Sequence, residues 1–252
     1  MKKSIIAFSI VGSMFCSTAY ADTLLGVYIG GHGWNMDTEG GFSNTSSLTN
    51  FDFDTETKGS FYAALEHPIP LVPNIKVRQT EMDSAGDVSL TTSFTFGDQL
   101  FTSQSDLMTD VDVSNTDIIL YYELFDNDLV SFDVGLNGKY IDGSLFVEDA
   151  NDPTVSALED FSGVVPMVYS RLEVGLPFTG WGVYAEGSFL SIDDHTLSDY
   201  QAAVTYEFVD NLAVDMTFEL GYRAVVLELE DLDDIYSDLE FSGAYAGLEI
   251  HF

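Results

Sequence analysis

Apolar residues fall at every second position in ten separate stretches of this 252-residue chain, and that period belongs to the extended strand with one apolar face. The last stretch, "GAYAGLEIHF", shows it most sharply, with Ala244, Ala246, Leu248, Ile250 and Phe252 on one register. The others run from Leu25 to Ile29, Phe61 to Leu65, Ile75 to Val77, Ile118 to Leu124, Val130 to Leu136, Val168 to Leu176, Trp181 to Ala185, Tyr200 to Phe208 and Leu212 to Tyr222. Beyond the N-terminal segment no run approaches the ~18 consecutive apolar residues of a spanning helix, so the expectation is an all-β fold.

The N-terminus supplies context. "MKKSIIAFSIVGSMFCSTAYA" has Lys2 and Lys3, an apolar core from Ile5 to Cys16, and the small-x-small pattern Ala19-Tyr20-Ala21. It reads as a Sec-type secretory signal, 1–21, cleaved to leave a single domain over 22–252. Cleavage removes Cys16, the only cysteine, so an oxidising compartment finds no thiol to couple. It also removes two lysines, leaving Lys58, Lys76, Arg78, Lys139, Arg171 and Arg223 against 42 acidic residues. That balance repels a phosphate backbone and excludes nucleic acid as a partner. With 46% hydrophobic and 13% aromatic residues the chain is nevertheless too apolar to stay disordered.

Exported strands with apolar faces and no spanning helix point to a bacterial outer membrane, where unpaired backbone groups force a sheet to close on itself. The predicted architecture is an antiparallel up-and-down transmembrane β-barrel of about ten strands, with eight or twelve as alternatives. Tight connections ("EHPIPLVPN", "FDNDL", "PFTGW", "VDN") alternate with longer polar stretches at 37–57, 84–112, 148–161, 191–198 and 230–238. Short periplasmic turns opposite long extracellular loops give that pattern. The stretch 84–112 reads either as an extra strand pair or as a hairpin standing above the membrane. Phe125, Phe178, Trp181 and Phe208 flank the turns and suit an interfacial girdle. Leu248, Ile250 and Phe252 form the expected assembly signal, addressed to the barrel-assembly machinery.

The segments "LLGVYIGGHGW" and "FYAALEHPIPLVPNIKVR", with the terminal strand, resemble a group of Gram-negative outer-membrane β-barrel proteins of unassigned function. The resemblance covers essentially the whole mature chain and implies fold and outer-membrane location. It transfers no catalytic residue.

Opposite the apolar register fall Lys58, Glu66, Lys76, Arg78, Asp117, Glu123, Asp133, Lys139, Arg171, Glu173, Glu186, Glu207, Asp215, Glu219, Arg223 and Glu249. All six mature basic residues are in this set, so a salt-bridged lumen filled by side chains is expected. The surplus of carboxylates makes a small cation-selective, porin-like channel the alternative. Acidic runs such as "VEDANDP" and "ELEDLDDIYSD" are predicted on the extracellular rim. There their hard oxygens suit weakly held Ca²⁺ or Mg²⁺, bridging to lipopolysaccharide, and no other cofactor is indicated. Omptin proteases pair an Asp-x-His couple with two aspartates on a ten-stranded rim. Asp193 and His195, with Asp110 and Asp112, are the matching candidates here. The favoured reading is not an enzyme but a structural or surface-binding barrel.

Overall fold

The computed structural model describes residues 25–127, 129–192, 195–211, 213–232 and 235–252; the expected signal, 1–21, lies outside them. The strands are β1 (Gly26–Ser43), β2 (Thr49–Asn50), β3 (Asp52–Phe53), β4 (Glu56–Glu66), β5 (Asn74–Thr80), β6 (Asp83–Ser89), β7 (Phe94–Phe96) and β8 (Gln99–Phe101). They continue with β9 (Asp106–Asp112), β10 (Asn115–Asn127), β11 (Val130–Asp149), β12 (Asp152–Gly175), β13 (Trp181–Ile192), β14 (His195–Val209), β15 (Asp215–Leu232) and β16 (Ile235–His251).

Ten of these form a closed antiparallel ring in the order β1-β4-β5-β10-β11-β12-β13-β14-β15-β16, and β16 pairs back onto β1. Closure extends to the last residue: the Phe252 N–H donates to the Val27 carbonyl at 3.0 Å and the Val27 N–H to Phe252 at 3.4 Å. The count of ten matches the alternation. No helix among the described residues is long and apolar enough to cross a membrane.

The stretch 84–112 adds no strands to the ring. β6 and β9 continue β5 and β10 upward past a break, pairing with each other, while β9 also pairs with the upper part of β11. The other stretches expected as long loops are largely strand as well. β1 runs to Ser43, β12 begins at Asp152, and β13 and β14 reach Ile192 and His195. The "VEDANDP" run closes a tight turn in which the Asn151 N–H donates to Asp149 Oδ1 at 2.9 Å and the Thr154 N–H to Asp152 Oδ1 at 3.2 Å. Side-chain acceptors of this kind hold turns in place of a longer loop.

Why these polar stretches remain strand follows from a change in the apolar register. In β15, Phe218, Leu220 and Tyr222 face outward and are exposed, whereas Val225 is buried inside with Leu227 packed beside it. In β11 the outward residue is Leu136, and Leu145 and Val147 face in; in β1 Ile29 faces out and Trp34, Met36 and Phe42 face in. β12 repeats this, with Val168 and Leu172 outside and Ala157 inside. The barrel thus has an apolar outer belt towards its tight-turn end and an apolar interior towards the other. Above the belt the outward positions carry exposed Asp37, Gln79, Asp142, Ser162 and Glu240.

β7 and β8 form a hairpin over this upper end. Gly97 and Asp98 both take left-handed conformations, φ +54° and +59°, as a two-residue turn between twisted strands requires. On one side the Gly97 N–H donates to Asn44 Oδ1 at 2.7 Å, next to β1. On the other, a Cβ at Gly97 would come within 2.9 Å of the Ala157 Cβ on β12. β1 and β12 are opposite one another in the ring, so the hairpin bridges the mouth. Its Phe94, Phe96 and Phe101 are buried, and the Phe96 ring meets Phe42 edge-on at 4.9 Å.

Candidate functional site: a charged layer above a tyrosine-lined cavity

Below the apolar interior, side chains from seven strands meet in one ionic layer. Asp199 of β14 is its centre. Arg223 of β15 grips it with both arms, Nε to Oδ1 at 3.0 Å and Nη2 to Oδ2 at 2.8 Å, while Lys139 of β11 and Arg78 of β5 reach Oδ2 at 3.0 and 3.1 Å. Arg78 also donates to Asp117 at 2.9 Å and to Glu186 of β13 at 3.0 Å. Glu186 takes further bonds from Lys76 at 2.8 Å and Arg171 at 3.1 Å, and Arg171 reaches Glu173 at 2.8 Å. Strands β13 and β14 lie across the ring from β5, so the Arg78 side chain spans the lumen. Such charges can be buried only because each is paired and hydrogen-bonded.

Aromatic faces complete the cation shells. Lys76 Nζ lies 4.4 Å from the Tyr62 ring centre, the Arg171 guanidinium 4.3 Å from Tyr184, and that of Arg223 5.1 Å from Trp34. Desolvated cation–π pairs of this geometry add to the ionic bonds. Space for the Tyr62 ring comes from glycine: a Cβ on Gly30 would overlap it.

Towards the tight-turn end the lumen opens into a cavity of about 300 Å³. Tyr28, Tyr62, Tyr121 and Tyr169 line it, with Glu66, Glu123, Asp126, Asp133, Glu173 and Glu249; the cations on its wall are Lys76 and Arg171. Tyr121 donates to Glu66 at 2.8 Å, Tyr62 donates to Glu249, and Asn74 donates to Glu123 at 3.3 Å. The cavity shares Tyr28, Glu66, Glu123 and Asp126 with a wider outer one of about 710 Å³ that reaches Asp210, Asp215 and His251.

Of the residues expected in the lumen, Lys76, Arg78, Lys139, Arg171, Glu173, Glu186 and Arg223 therefore meet in one network. Glu66, Glu123, Asp133 and Glu249 surround the cavity below it. Glu219 accepts from Tyr184 at 3.1 Å. Lys58 lies apart, bonded to Asp83 and Glu56, both at 2.6 Å. Glu207 and Asp215 sit at the tight-turn end, where their oxygens and those of Asp210 lie within 4.8 Å of one another. Among the described residues, the protease candidates His195, Asp110 and Asp112 are not brought together. His195 pairs with Ile192 on the β13–β14 edge, while Asp110 and Asp112 lie on β9, with β11, β12 and β13 between; Asp193 is outside the described residues. The sequence reading missed Asp199, Asn115 and the four cavity tyrosines. For Tyr62, Tyr121 and Tyr169 the available signal was a ring in the inward register of an otherwise polar face.

Fold and interior together define a closed ten-stranded barrel with a charged midsection. No protein-family model and no curated protein matches the chain. Among solved structures, the crystal structure of the Pseudomonas putida toluene transporter TodX is similar over 90% of this chain and 89% of its own, with 6% identity and a TM-score of 0.32. A likeness at that level says nothing about what this chain carries or binds.

Proposed function

We propose that this chain is an integral outer-membrane barrel, closed to steady ion flow, that serves a structural and surface-binding role through an acidic extracellular head. The exposed apolar belt supports the membrane placement. In β12 it runs from Val164 to Leu172, matching the roughly 9–11 residues with which a tilted strand crosses a bilayer. The N-terminal secretory pattern supports export. On this reading the tight turns face the periplasm and the β7–β8 hairpin faces outward, where lipopolysaccharide and weakly held divalent cations are the natural partners of the acidic rim.

The observation that carries the closed lumen is Arg78, whose guanidinium joins Asp117 on the neighbouring strand to Glu186 and Asp199 across the ring. Water-filled pores typically need ~16 or more strands, and a ten-stranded ring leaves room for side chains to fill it. Purified protein in a planar bilayer tests the reading: the expected trace shows negligible steady conductance. A steady, cation-selective current through the unmodified protein would replace it with the channel.

A further inference from the structure

We propose that the cavity at the tight-turn end binds a small aliphatic amine carrying two or more separated ammonium groups. The proposal goes beyond the closed-barrel reading and rests on it only for the compartment the cavity faces.

The first argument is charge. Six carboxylates line the inner cavity against Lys76 and Arg171; Lys76 pairs with Glu186 outside the lining, and Arg171 divides its charge between Glu186 and the cavity's Glu173. The second is Asp133. It is 5% exposed, lines the cavity, and among the described residues its side chain takes one hydrogen bond, a 3.5 Å contact from the Ser131 hydroxyl. Arg171, its cross-strand neighbour, bonds Glu173 and Glu186 instead. A buried carboxylate that no cation bonds directly is costly, and a cation arriving from outside relieves it.

Geometry selects the kind of cation. A bare Ca²⁺ draws six to eight oxygens onto one point, yet among the described residues the one group of three carboxylates close enough to share an ion is Glu207, Asp210 and Asp215, none of which lines the inner cavity. The inner carboxylates are spread around the wall, which suits charges spaced along a chain. The lumen also shows how it holds an alkylammonium: Lys76 sits between a carboxylate, Glu186, and the face of Tyr62. Tyr121 and Tyr169 line the cavity together with Asp133 and supply the same two kinds of group, ring and carboxylate.

Spermidine titrated into the purified full-length barrel in detergent, by calorimetry at fixed ionic strength, provides the test. Saturable one-to-one binding is expected, with propylamine and Mg²⁺ at least about tenfold weaker. Asp133→Asn should weaken spermidine by about tenfold. It should also raise the melting temperature of the unliganded protein, because it removes a buried charge, so loss of binding will not reflect loss of fold. Glu123→Gln, nearer the mouth, should weaken it too, whereas Asp142→Asn, on the outer wall above the belt, should not. Equal binding of Mg²⁺, unchanged binding by Asp133→Asn, or no saturable binding would each overturn the proposal. Conductance and membrane placement are measured separately, so failure of the closed-barrel reading leaves this outcome legible.

Discussion

Arg223 holds Asp199 through two parallel hydrogen bonds, 3.0 and 2.8 Å, with both side chains at most 1% exposed. The same carboxylate also neutralises Lys139 and Arg78. One anion thus serves cations from three strands.

Asp199→Asn keeps the shape and removes that shared charge. Breaking a buried ion pair costs about 3–5 kcal/mol, and loss on that scale is expected in denaturant unfolding from micelles. Glu173→Gln, whose carboxylate is 41% exposed, should change stability by less than about 1 kcal/mol. Equal effects at the two sites would show that the layer does not act as a unit.

The change of apolar register predicts opposite tolerance on the two halves of one strand pair. Leu220→Arg, on the belt, should cost about 2–4 kcal/mol in a bilayer, while Glu240→Arg, on the outer wall of β16 above it, should cost little. Reversing the face reverses the result in the upper half: Leu239→Arg buries a charge where Leu239 is fully enclosed and should prevent stable assembly. Vesicle-based folding titrations read all three.

The ring and its strand count were legible because the belt follows one rule on every strand. The upper half was not, because its outward positions are polar and its inward ones apolar, so "SLTNFDFDTE" and "DLMTDVDV" carry no outward apolar alternation to mark them as strand. Phe51, Phe53, Leu107 and Val111 are buried on that inner face. The basic residues were legible as lumen residues from strand period alone. Their partners across the ring were not: Arg78 and Asp199 are 121 positions apart, and their meeting depends on tilt and closure rather than on any local pattern.

The hairpin over the mouth depends on Gly97. Its left-handed backbone and the nearby Ala157 both oppose a side chain, and a β-branched residue there adds strain of about 1–3 kcal/mol. Gly97→Val should free the hairpin, giving protease cleavage between residues 90 and 105 while the ring stays heat-resistant. Leu100→Ser, at a position 55% exposed, should remain protected.

Closure of the ring ends in the paired bonds between Phe252 and Val27. Removing Phe252 deletes both and an apolar side chain from the seam, so slower insertion and a lower melting temperature in detergent are expected. Insertion and heat resistance equal to the parent would show that the seam is secure without its last residue.

The level at which the apolar face passes from outside to inside has a mechanical consequence. A barrel that is apolar outside along its whole length can ride up or down in a bilayer at little cost, because each shift exchanges one apolar row for another. Here a rise lifts Leu220 and Leu136 into water, and a descent drags Asp142 and Glu240 into lipid. On the proposed membrane placement, the height of the β7–β8 hairpin above the surface is thereby fixed by the chain itself, and the membrane serves as the datum from which it is measured.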